Sequence, residues 1–271
     1  MPKPIRIAIL GVSGRMGQML VRAVAENQKV MLVGVTERPG HDWIGKDIGI
    51  MTSGKQNGII VSDKPINVFV NTDAVIDFTS PEATVAHSIL SAQARIIHVI
   101  GTTGFSKEQI KKIEIASQHA IIIRAGNMSL GINMLTQLTK QVSAALDDQY
   151  DIEIVEMHHN KKLDAPSGTA LMLGGAAAKG RQISLNNPSS QSIFDKKSER
   201  ARGEIGFASI RGGDVVGEHD VIFSAPGERI VLRHIATDRM IFARGAIKAA
   251  IWGIKMDPGN YDMIDVLGLT K

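Results

Sequence analysis

The stretch IRIAILGVSGRMGQMLVRAVA, residues 5–25, sets the architecture expected for the first half of the chain. Its opening run IRIAIL is typical of a buried strand. After the glycine turn at 11–17, apolar side chains recur at helical spacing at Met16, Leu20, Val21 and Val24. The stretch therefore predicts a strand–turn–helix unit, which is how a parallel α/β sheet begins.

The alternation of strand and helix continues to about residue 130. Further strands are predicted at VMLVGVTE (30–37), AVIDFT (74–79), IIHVIGTTG (96–104) and AIIIRAGN (120–127). One of the intervening helices starts at Ser80-Pro81, with a serine as the N-cap and a proline at the first helical position. Because strands that alternate with helices form doubly wound sheets, the N-terminal part is predicted to be α/β, with a Rossmann-like, dinucleotide-binding parallel sheet.

The pattern changes after residue 130. A helix at about 131–146 is followed by the strand YDIEIVEMHH, with near-alternating polarity, and by the helix TALMLGGAAAKG. Three strand-like runs come later, namely EIGFASIRG, DVVGEHDVIFSA and ERIVLRHIAT, with glycine-rich turns between them. This order predicts a smaller α+β domain with a mixed sheet. The polar segment 186–202 is predicted to be a mobile loop.

The C-terminal run RMIFARGAIKAAIWGI is predicted to be a helix that is apolar enough to pack against the first domain. We therefore divide the chain into a dinucleotide-binding domain, 1–129 with 240–271, and a substrate-binding domain, 130–239.

Composition excludes several classes of protein. The chain has 271 residues and no cysteine, so disulfides and thiolate metal sites are excluded. The sequence has neither a signal-peptide core nor a window of ~20 apolar residues, so we expect a cytoplasmic protein with no membrane partner. The net charge is +4, but basic residues are dispersed and only 4% of residues are aromatic, which argues against a nucleic-acid partner. Small anions are the expected ligands.

The turn GVSGRMG lies between a strand and a helix, where a dinucleotide's pyrophosphate binds. Its spacing is G-x-x-G-x-x-G, so the motif alone is weak, because glycine turns also serve packing. Glu37 ends the next strand, where an acidic side chain can accept from the ribose hydroxyls. Arg38 can pair with a 2′-phosphate, so the two residues predict use of either NADH or NADPH. The alternative is a surface ion pair.

Two more strands end in small hydrogen-bonding residues, GTTG at 101–104 and AGNMS at 125–129. Ligands of open parallel sheets bind beyond the carboxyl ends of the strands. These two ends and the glycine turn together favour dinucleotide binding.

The segment EMHHNKKLDAPSGTA, 156–170, gathers titratable side chains before a helix start. His158 can act as a general acid or base, and His159 or Lys162 can tune it and donate a second proton. Amides at the start of the helix after Ser167 suit a carboxylate. The segment therefore predicts a site for a small dicarboxylate. A solvated basic loop is the alternative, and no metal site is expected.

The other histidines occur singly. His41, His87, His98, His119 and His234 are predicted to be structural or exposed. His219, in GEHD, stays open because the side of the strand that it faces is unknown.

The segments EMHHNKKLDAPSGTA, GVSGRMG, DFTSPEAT, VIGTTGF, GNMSLGIN and IGFASIRGGDVVGEH resemble the bacterial 4-hydroxy-tetrahydrodipicolinate reductase family, formerly dihydrodipicolinate reductase. The resemblance covers essentially the whole chain in the same order. The segment H-H-x-x-K-x-D-A-P-S-G-T-A is very specific. Met128 departs from the family, where an aromatic residue is common.

The resemblance implies an NAD(P)H-dependent reductase of lysine and diaminopimelate biosynthesis. It would transfer hydride to C4 of 4-hydroxy-tetrahydrodipicolinate and form tetrahydrodipicolinate with loss of water. His158 would be the proton donor or acceptor and Lys162 the second donor. The substrate carboxylates would contact His159, Gly168 and Thr169. A homotetramer assembled through the sheet of the second domain is also implied, together with closure of the domains over the ligands.

The resemblance also implies which residues line the cofactor. These are Gly11, Val12, Ser13, Gly14, Arg15, Met16, Glu37, Arg38, Gly101, Thr102, Thr103, Ala125, Gly126, Asn127 and Met128.

Two other functions compete with this one. A different two-domain dehydrogenase, acting on an amino or sugar substrate, would share the cofactor domain but would not need H-H-x-x-K beside a Ser-Gly-Thr helix start. A non-enzymatic dinucleotide sensor or nucleic-acid-binding regulator, suggested by the pI near 9.3, would show salt-dependent oligonucleotide binding.

Overall fold

The computed structural model describes residues 3–185, 200 and 202–269. The predicted loop 186–202 lies outside these residues except for Arg200 and Arg202. The chain divides into two compact units, Met1–Ser129 with Met240–Lys271 (unit 1) and Leu130–Arg239 (unit 2).

The strands, numbered in chain order, are β1 Ile5–Leu10, β2 Val30–Thr36, β3 Val61–Ser62, β4 Ala74–Asp77, β5 Ile97–Ile100, β6 Ile121–Arg124, β7 Asp151–His158, β8 Ile205–Arg211, β9 Gly217–Ala225, β10 Glu228–Ala236 and β11 Gly259–Tyr261. The helices are α1 Arg15–Ala25, α2 Ile48–Ser53, α3 Pro65–Phe69, α4 Pro81–Ala94, α5 Lys107–Ala116, α6 Leu130–Ala145, α7 Gly168–Arg181, α8 Met240–Gly253 and α9 Met263–Val266. Among the described residues, no helix is both long and apolar enough to cross a membrane.

Unit 1 is built on a parallel seven-stranded sheet with the order β11-β6-β5-β4-β1-β2-β3. All four residues of β4 and all four of β5 are buried, as expected for central strands covered on both faces. The strand order reverses between β1 and β4. In open α/β sheets this is where ligands bind, at the carboxyl ends of the strands.

Helix α8 belongs to unit 1, where it packs against α1, β4 and β5. Small residues make this close packing possible. A Cβ at Gly245 would lie 1.8 Å from the carbonyl oxygen of Met128, and one at Gly253 would lie 3.1 Å from Ile97.

Unit 2 is a four-stranded sheet with the order β10-β9-β7-β8. Strands β7 and β8 are parallel, whereas β7–β9 and β9–β10 are antiparallel, so the sheet is mixed. The predicted fold class, a doubly wound parallel sheet plus a smaller α+β domain with a mixed sheet, is confirmed.

The core of unit 2 lies on one face of this sheet and includes residues of α6 and α7. Every second residue of β7 is buried, beginning at Ile152, because side chains alternate between the two faces of a strand. Two rows of paired residues cross the sheet on this face: Ile205, Ile152, Phe223 and Ile230, and then Phe207, Ile154, Val221 and Leu232. Burial of these rows fixes the register of the sheet.

Two neighbouring glycines of α7 test this packing. A Cβ at Gly174 would lie 2.4 Å from Cζ of Phe207, whereas one at Gly175 would have nothing within 4 Å. We expect Gly174→Ala to lower the free energy of unfolding by about 1–3 kcal/mol through overpacking. Gly175→Ala should instead raise it by about 0.5–1 kcal/mol, because alanine favours helix. Urea denaturation of both variants measures the difference; equal effects would contradict this packing.

Candidate active site

The glycine turn of unit 1 is shaped by close backbone contacts. Gly11 has a φ of +69°, and a Cβ there would lie 2.8 Å from Cγ2 of Thr79. A Cβ at Gly17 would lie 2.5 Å from the carbonyl oxygen of Gly11 and 2.6 Å from Cα of Val12. Gly14 is the N-cap of α1 and provides no side chain to cap the first amides of the helix. The turn thus presents backbone N–H groups at a helix start, which suits a pyrophosphate.

Glu37 lies against this turn. Its Oε2 accepts hydrogen bonds from the backbone N–H of Ser13 at 3.0 Å and from the Ser13 hydroxyl at 2.7 Å, and its Oε1 accepts from the N–H of Arg38. Burial opposes ionisation of Glu37, but the hydrogen bonds from Arg38 and Ser13 outweigh it and hold the pKa of the carboxyl below its usual range. The structure therefore brings together two of the regions predicted to bind the cofactor.

The ends of β4 and β5 are joined through Asp77, a residue that sequence reasoning did not select. Asp77 Oδ1 accepts from the N–H and the hydroxyl of Thr79, at 2.9 and 2.6 Å. Its Oδ2 lies 2.8 Å from Nδ1 of His87 and 3.3 Å from Nε2 of His98. Asp77 is buried, and its pKa is far below its usual range, since the bonds from the two histidines outweigh the cost of burial. His87 and His98 are thus buried structural residues.

Some of the predicted cofactor residues after β5 and β6 are also closely packed. Thr102 is buried, and its hydroxyl accepts from that of Thr84 at 2.9 Å. A Cβ at Gly101 would clash with the ring of Phe78, 2.1 Å away. Met128 is 1% exposed, and the Asn127 amide oxygen accepts from the N–H of Ser129 at 2.8 Å. Because the side chain at position 128 is buried, an apolar residue such as methionine fits there.

In unit 2, the apolar rows of the sheet give way to polar ones on the same face. The third row is Ser209, Glu156, His219 and His234. At the end of β7, His158 pairs with Arg211, and a Cβ at Gly217 would lie 3.0 Å from Nε2 of His158. His158 thus continues the inward-facing alternation of the strand, and one surface carries both the core and the candidate site.

Glu156 is the most connected side chain of this surface. It is 1% exposed, and its Oε2 lies 2.5 Å from Nδ1 of His158. Arg211 donates to both carboxylate oxygens, from Nη1 at 2.8 Å and from Nη2 at 2.7 Å. Burial opposes the ionised form, but the bonds from His158 and Arg211 hold the pKa of Glu156 well below its usual range. Glu156 is therefore a carboxylate.

His219, whose orientation the sequence left open, faces inward. Its ring centroid lies 5.1 Å from that of His158, and its Nε2 lies 3.2 Å from the hydroxyl of Ser167. Burial and the neighbouring His158 lower the pKa of His219 to about 4. Burial also lowers the pKa of His234, the next residue in the row. His219 is therefore a neutral member of the site at physiological pH.

The segment from His159 to Ser167 forms a loop between β7 and α7. Lys162 Nζ donates to Asp164 at 2.8 Å and lowers the pKa of that carboxyl. Nε2 of His159 lies 3.3 Å from Nη2 of Arg239. The hydroxyl of Ser167 caps α7 by accepting from the N–H of Ala170 at 3.1 Å, so Gly168 and Thr169 form the first turn of the helix.

The structure thus places the predicted residues His158, His159, Lys162, Gly168 and Thr169 along one strand–loop–helix unit. Sequence reasoning missed three residues that contact them or their neighbours: Glu156, Ser167 and Arg211. Glu156 had a usable signal, because residues two apart on a strand share a face. The role of Arg211 depends on the pairing of β7 with β8, which lies 47 or more residues away in the chain.

These features define a two-unit oxidoreductase with a dinucleotide-binding Rossmann domain and a second unit that carries polar, titratable groups. Family models for the N-terminus and the C-terminus of dihydrodipicolinate reductase match residues 5–128 and 131–267. The chain belongs to the dihydrodipicolinate reductase family, as the sequence motifs indicated.

Curated relatives agree with this family. A protein named 4-hydroxy-tetrahydrodipicolinate reductase from Ruegeria pomeroyi is 60% identical over 263 residues, which is 97% of this chain and 98% of the relative. A relative with the same name from Dinoroseobacter shibae has the same identity and coverage. The chain therefore belongs with these reductases and not with a different family of two-domain dehydrogenases.

Solved structures support the fold. The dipicolinate-bound dihydrodipicolinate reductase from Paenisporosarcina sp. TG-14 matches with a TM-score of 0.77 and 26% identity, covering 97% of this chain and 99% of that one. An amine dehydrogenase from Mycobacterium smegmatis matches with a TM-score of 0.67 at 12% identity, covering 96% of this chain and 95% of that one. The latter shows the fold alone.

The low pKa of His219 has a measurable consequence for stability. Between pH 6.5 and about 4 the unfolded chain binds a proton at this residue that the folded chain does not. The contribution of neutral His219 is therefore complete above pH 6.5 and is lost as the pH falls towards 4. We expect the difference in unfolding free energy between wild type and His219→Gln to shrink by roughly 3 kcal/mol across this window.

Urea denaturation at several pH values checks this expectation. The exposed His119 provides the matched control for loss of an imidazole, and His119→Gln should change the free energy of unfolding little. A His219→Gln curve that runs parallel to wild type would contradict the assignment of a buried neutral imidazole.

Proposed function

We propose that this protein reduces 4-hydroxy-tetrahydrodipicolinate to tetrahydrodipicolinate with NADPH or NADH and loss of water, in lysine and diaminopimelate biosynthesis. The observation that carries the proposal is the pairing of His158 with the buried Glu156 carboxylate, on a strand that the loop 159–167 joins to the start of α7. The names of the relatives support the substrate.

Unit 1 is proposed to bind the dinucleotide. Its glycine turn fits a pyrophosphate. The chain at Gly11 and Gly17 is packed too closely to accommodate a Cβ, and Gly14, the N-cap of α1, has no side chain to cap the first amides of the helix. Glu37 would accept from the ribose, and the exposed Arg38 would meet a 2′-phosphate when one is present. We propose on this basis that both NADH and NADPH are accepted. The bound cofactor supplies the hydride.

Unit 2 is proposed to bind the dicarboxylate. Gly168 and Thr169 lie in the first turn of α7, where backbone N–H groups and the positive end of the helix dipole favour a carboxylate. Lys162 and His159 lie on the preceding loop, which also brings positive charge. A dianionic substrate needs such amide and cationic partners.

Protonation is assigned to His158 and Lys162. Loss of the 4-hydroxyl group as water leaves a conjugated imine, and hydride addition at C4 leaves an electron pair in its carbon–carbon–nitrogen system. That pair must take up a proton. An imidazole held by a carboxylate through Nδ1 can donate or accept at Nε2, and the Lys162 ammonium is a second donor.

We further propose that the protein assembles as a homotetramer through the outward face of the unit 2 sheet. This face carries the half-exposed apolar residues Ile210, Val231 and Ile235, which are 47%, 51% and 51% exposed. It also carries Arg233, paired with Glu218 and Asp220. Apolar contacts beside ion pairs suit an interface between copies of the chain. The cytoplasmic location expected from the sequence stays a prediction.

Replacement of the two proposed proton donors tests the function. We expect His158→Gln and Lys162→Met each to lower kcat by roughly 10²-fold or more, the range for lost general acid–base catalysis. Lys161→Met is the matched control, because Lys161 is its exposed neighbour, and it should keep most of the activity. NAD(P)H oxidation with freshly condensed aspartate semialdehyde and pyruvate measures turnover.

Cofactor affinity should stay nearly unchanged in both variants. The absence of turnover by the wild type would defeat the proposed reaction. Indifference to His158→Gln in the presence of cofactor binding would favour a non-enzymatic sensor, and equal loss of cofactor binding in both variants would make the loop structural.

A further inference from the structure

The carboxylate of Glu156 joins both ends of the loop that carries Lys162. At one end, Oε2 lies 2.5 Å from Nδ1 of His158, the last residue of β7. At the other end, Oε1 accepts from the backbone N–H of Ser167, the N-cap of α7, at 3.2 Å. One buried side chain therefore contacts the proposed proton donor and the start of the proposed carboxylate-binding helix.

Arg211 completes this arrangement. Its guanidinium donates to both oxygens of Glu156, and its Nη2 also donates to the backbone carbonyl of Asp164 at 2.7 Å. The pair brings a compensating positive charge to a carboxylate that is 1% exposed, which burial would otherwise penalise. The same guanidinium group thereby holds the loop at Asp164, two residues after Lys162. We call Glu156 and Arg211 the carboxylate clamp.

The clamp also determines the tautomer of His158. An ionised carboxylate can only accept hydrogen bonds, so Nδ1 of His158 must carry the hydrogen and Nε2 is left for proton exchange. Nε2 lies on the side of Gly217, where a Cβ would come within 3.0 Å of it. A side chain at position 217 would therefore crowd the reactive nitrogen, and glycine avoids this contact.

We propose that Glu156 is a positioning residue, which holds His158 in the tautomer with a hydrogen on Nδ1 and in fixed alignment with the start of α7. This inference rests on the proposed function, because it explains how the proton donor and a bound carboxylate keep one geometry during turnover. A misplacement of about 1 Å can lower the rate a hundredfold, so this alignment should strongly affect kcat.

Glutamine cannot replace this carboxylate. Its amide offers one acceptor oxygen and one NH₂ group, so a donor on either His158 or Arg211 would face another donor. We expect Glu156→Gln to lower kcat by roughly 10–10²-fold, the cost of a misplaced group. The KM for the dicarboxylate should rise a few-fold, because Arg211, which also bonds the loop at Asp164, loses one of its two bonds to residue 156 in either orientation of the amide. The KM for the cofactor should stay the same.

The kcat and KM values separate positioning from support of the fold. Loss of a positioning residue should lower kcat and raise the dicarboxylate KM, while the cofactor KM stays the same. Loss of support for the fold would instead reduce the fraction of active enzyme, so kcat would fall with both KM values unchanged.

The experiment compares kcat and the KM values for the dicarboxylate and the cofactor in wild type, Glu156→Gln and Glu228→Gln, all in the full chain. Glu228 begins β10 at the opposite end of the same sheet, so it controls for loss of a carboxylate in this unit, and its variant should match wild type. An unchanged kcat in Glu156→Gln would overturn the proposal. A lower kcat with an unchanged dicarboxylate KM would also overturn it, by showing structural support only.

Failure of the proposed reaction remains distinguishable. If wild type shows no turnover, calorimetric binding of pyridine-2,6-dicarboxylate still tests the clamp, and weaker binding by Glu156→Gln than by Glu228→Gln is expected. If Glu156→Gln does not fold, Arg211→Lys replaces it. That variant keeps the charge but loses the fork, so it should show a smaller decrease in kcat and a raised dicarboxylate KM; wild-type values would overturn the proposal.

Discussion

Burial of an ionised carboxylate at Glu156 is the constraint on which the unit 2 site depends. An unpaired buried charge would cost several kcal/mol, so the fold must bring partners to it. Arg211 comes from β8, His158 from the same strand, and the N–H of Ser167 from the start of α7. Each partner is a proposed functional group or the neighbour of one. Satisfying the charge therefore also arranges the site.

Unit 1 also contains a buried carboxylate that is stabilised by several hydrogen-bond partners. Asp77 is buried at the carboxyl end of β4, and it is bonded by His87, His98 and Thr79. Thr79 in turn packs against the glycine turn, because a Cβ at Gly11 would lie 2.8 Å from its Cγ2. In both units, a buried carboxylate at or near a strand end has partners on more than one element and fixes loops at the proposed binding edge. Removing one partner would leave an uncompensated charge, which makes these clusters rigid.

The main features of both units could be predicted from the sequence because they depend on local patterns. The strand–turn–helix unit at 5–25, the capped helix after Ser80 and the alternation in β7 all report on residues close together in the chain. The titratable side chains gathered before a helix start were enough to identify residues 156–170 as a candidate site. Short elements such as β3 and β11, with two and three residues, carry too little pattern to be detected.

The partners of the buried carboxylates could not be predicted for a different reason. Arg211 is 55 residues from Glu156, and His98 is 21 residues from Asp77. Their proximity follows from sheet register, which a pattern along one strand does not reveal. His219 shows the same limit, because its inward orientation became known only from its pairing with Glu156 and His234.

A crystal structure with NADPH and pyridine-2,6-dicarboxylate would test the proposed site. We expect one ligand carboxylate at the first amides of α7, with Nε2 of His158 and Nζ of Lys162 on the side of the ligand ring that meets the nicotinamide. A complex in which the dicarboxylate lies away from Gly168 and Thr169, or in which His158 has left Glu156, would contradict it.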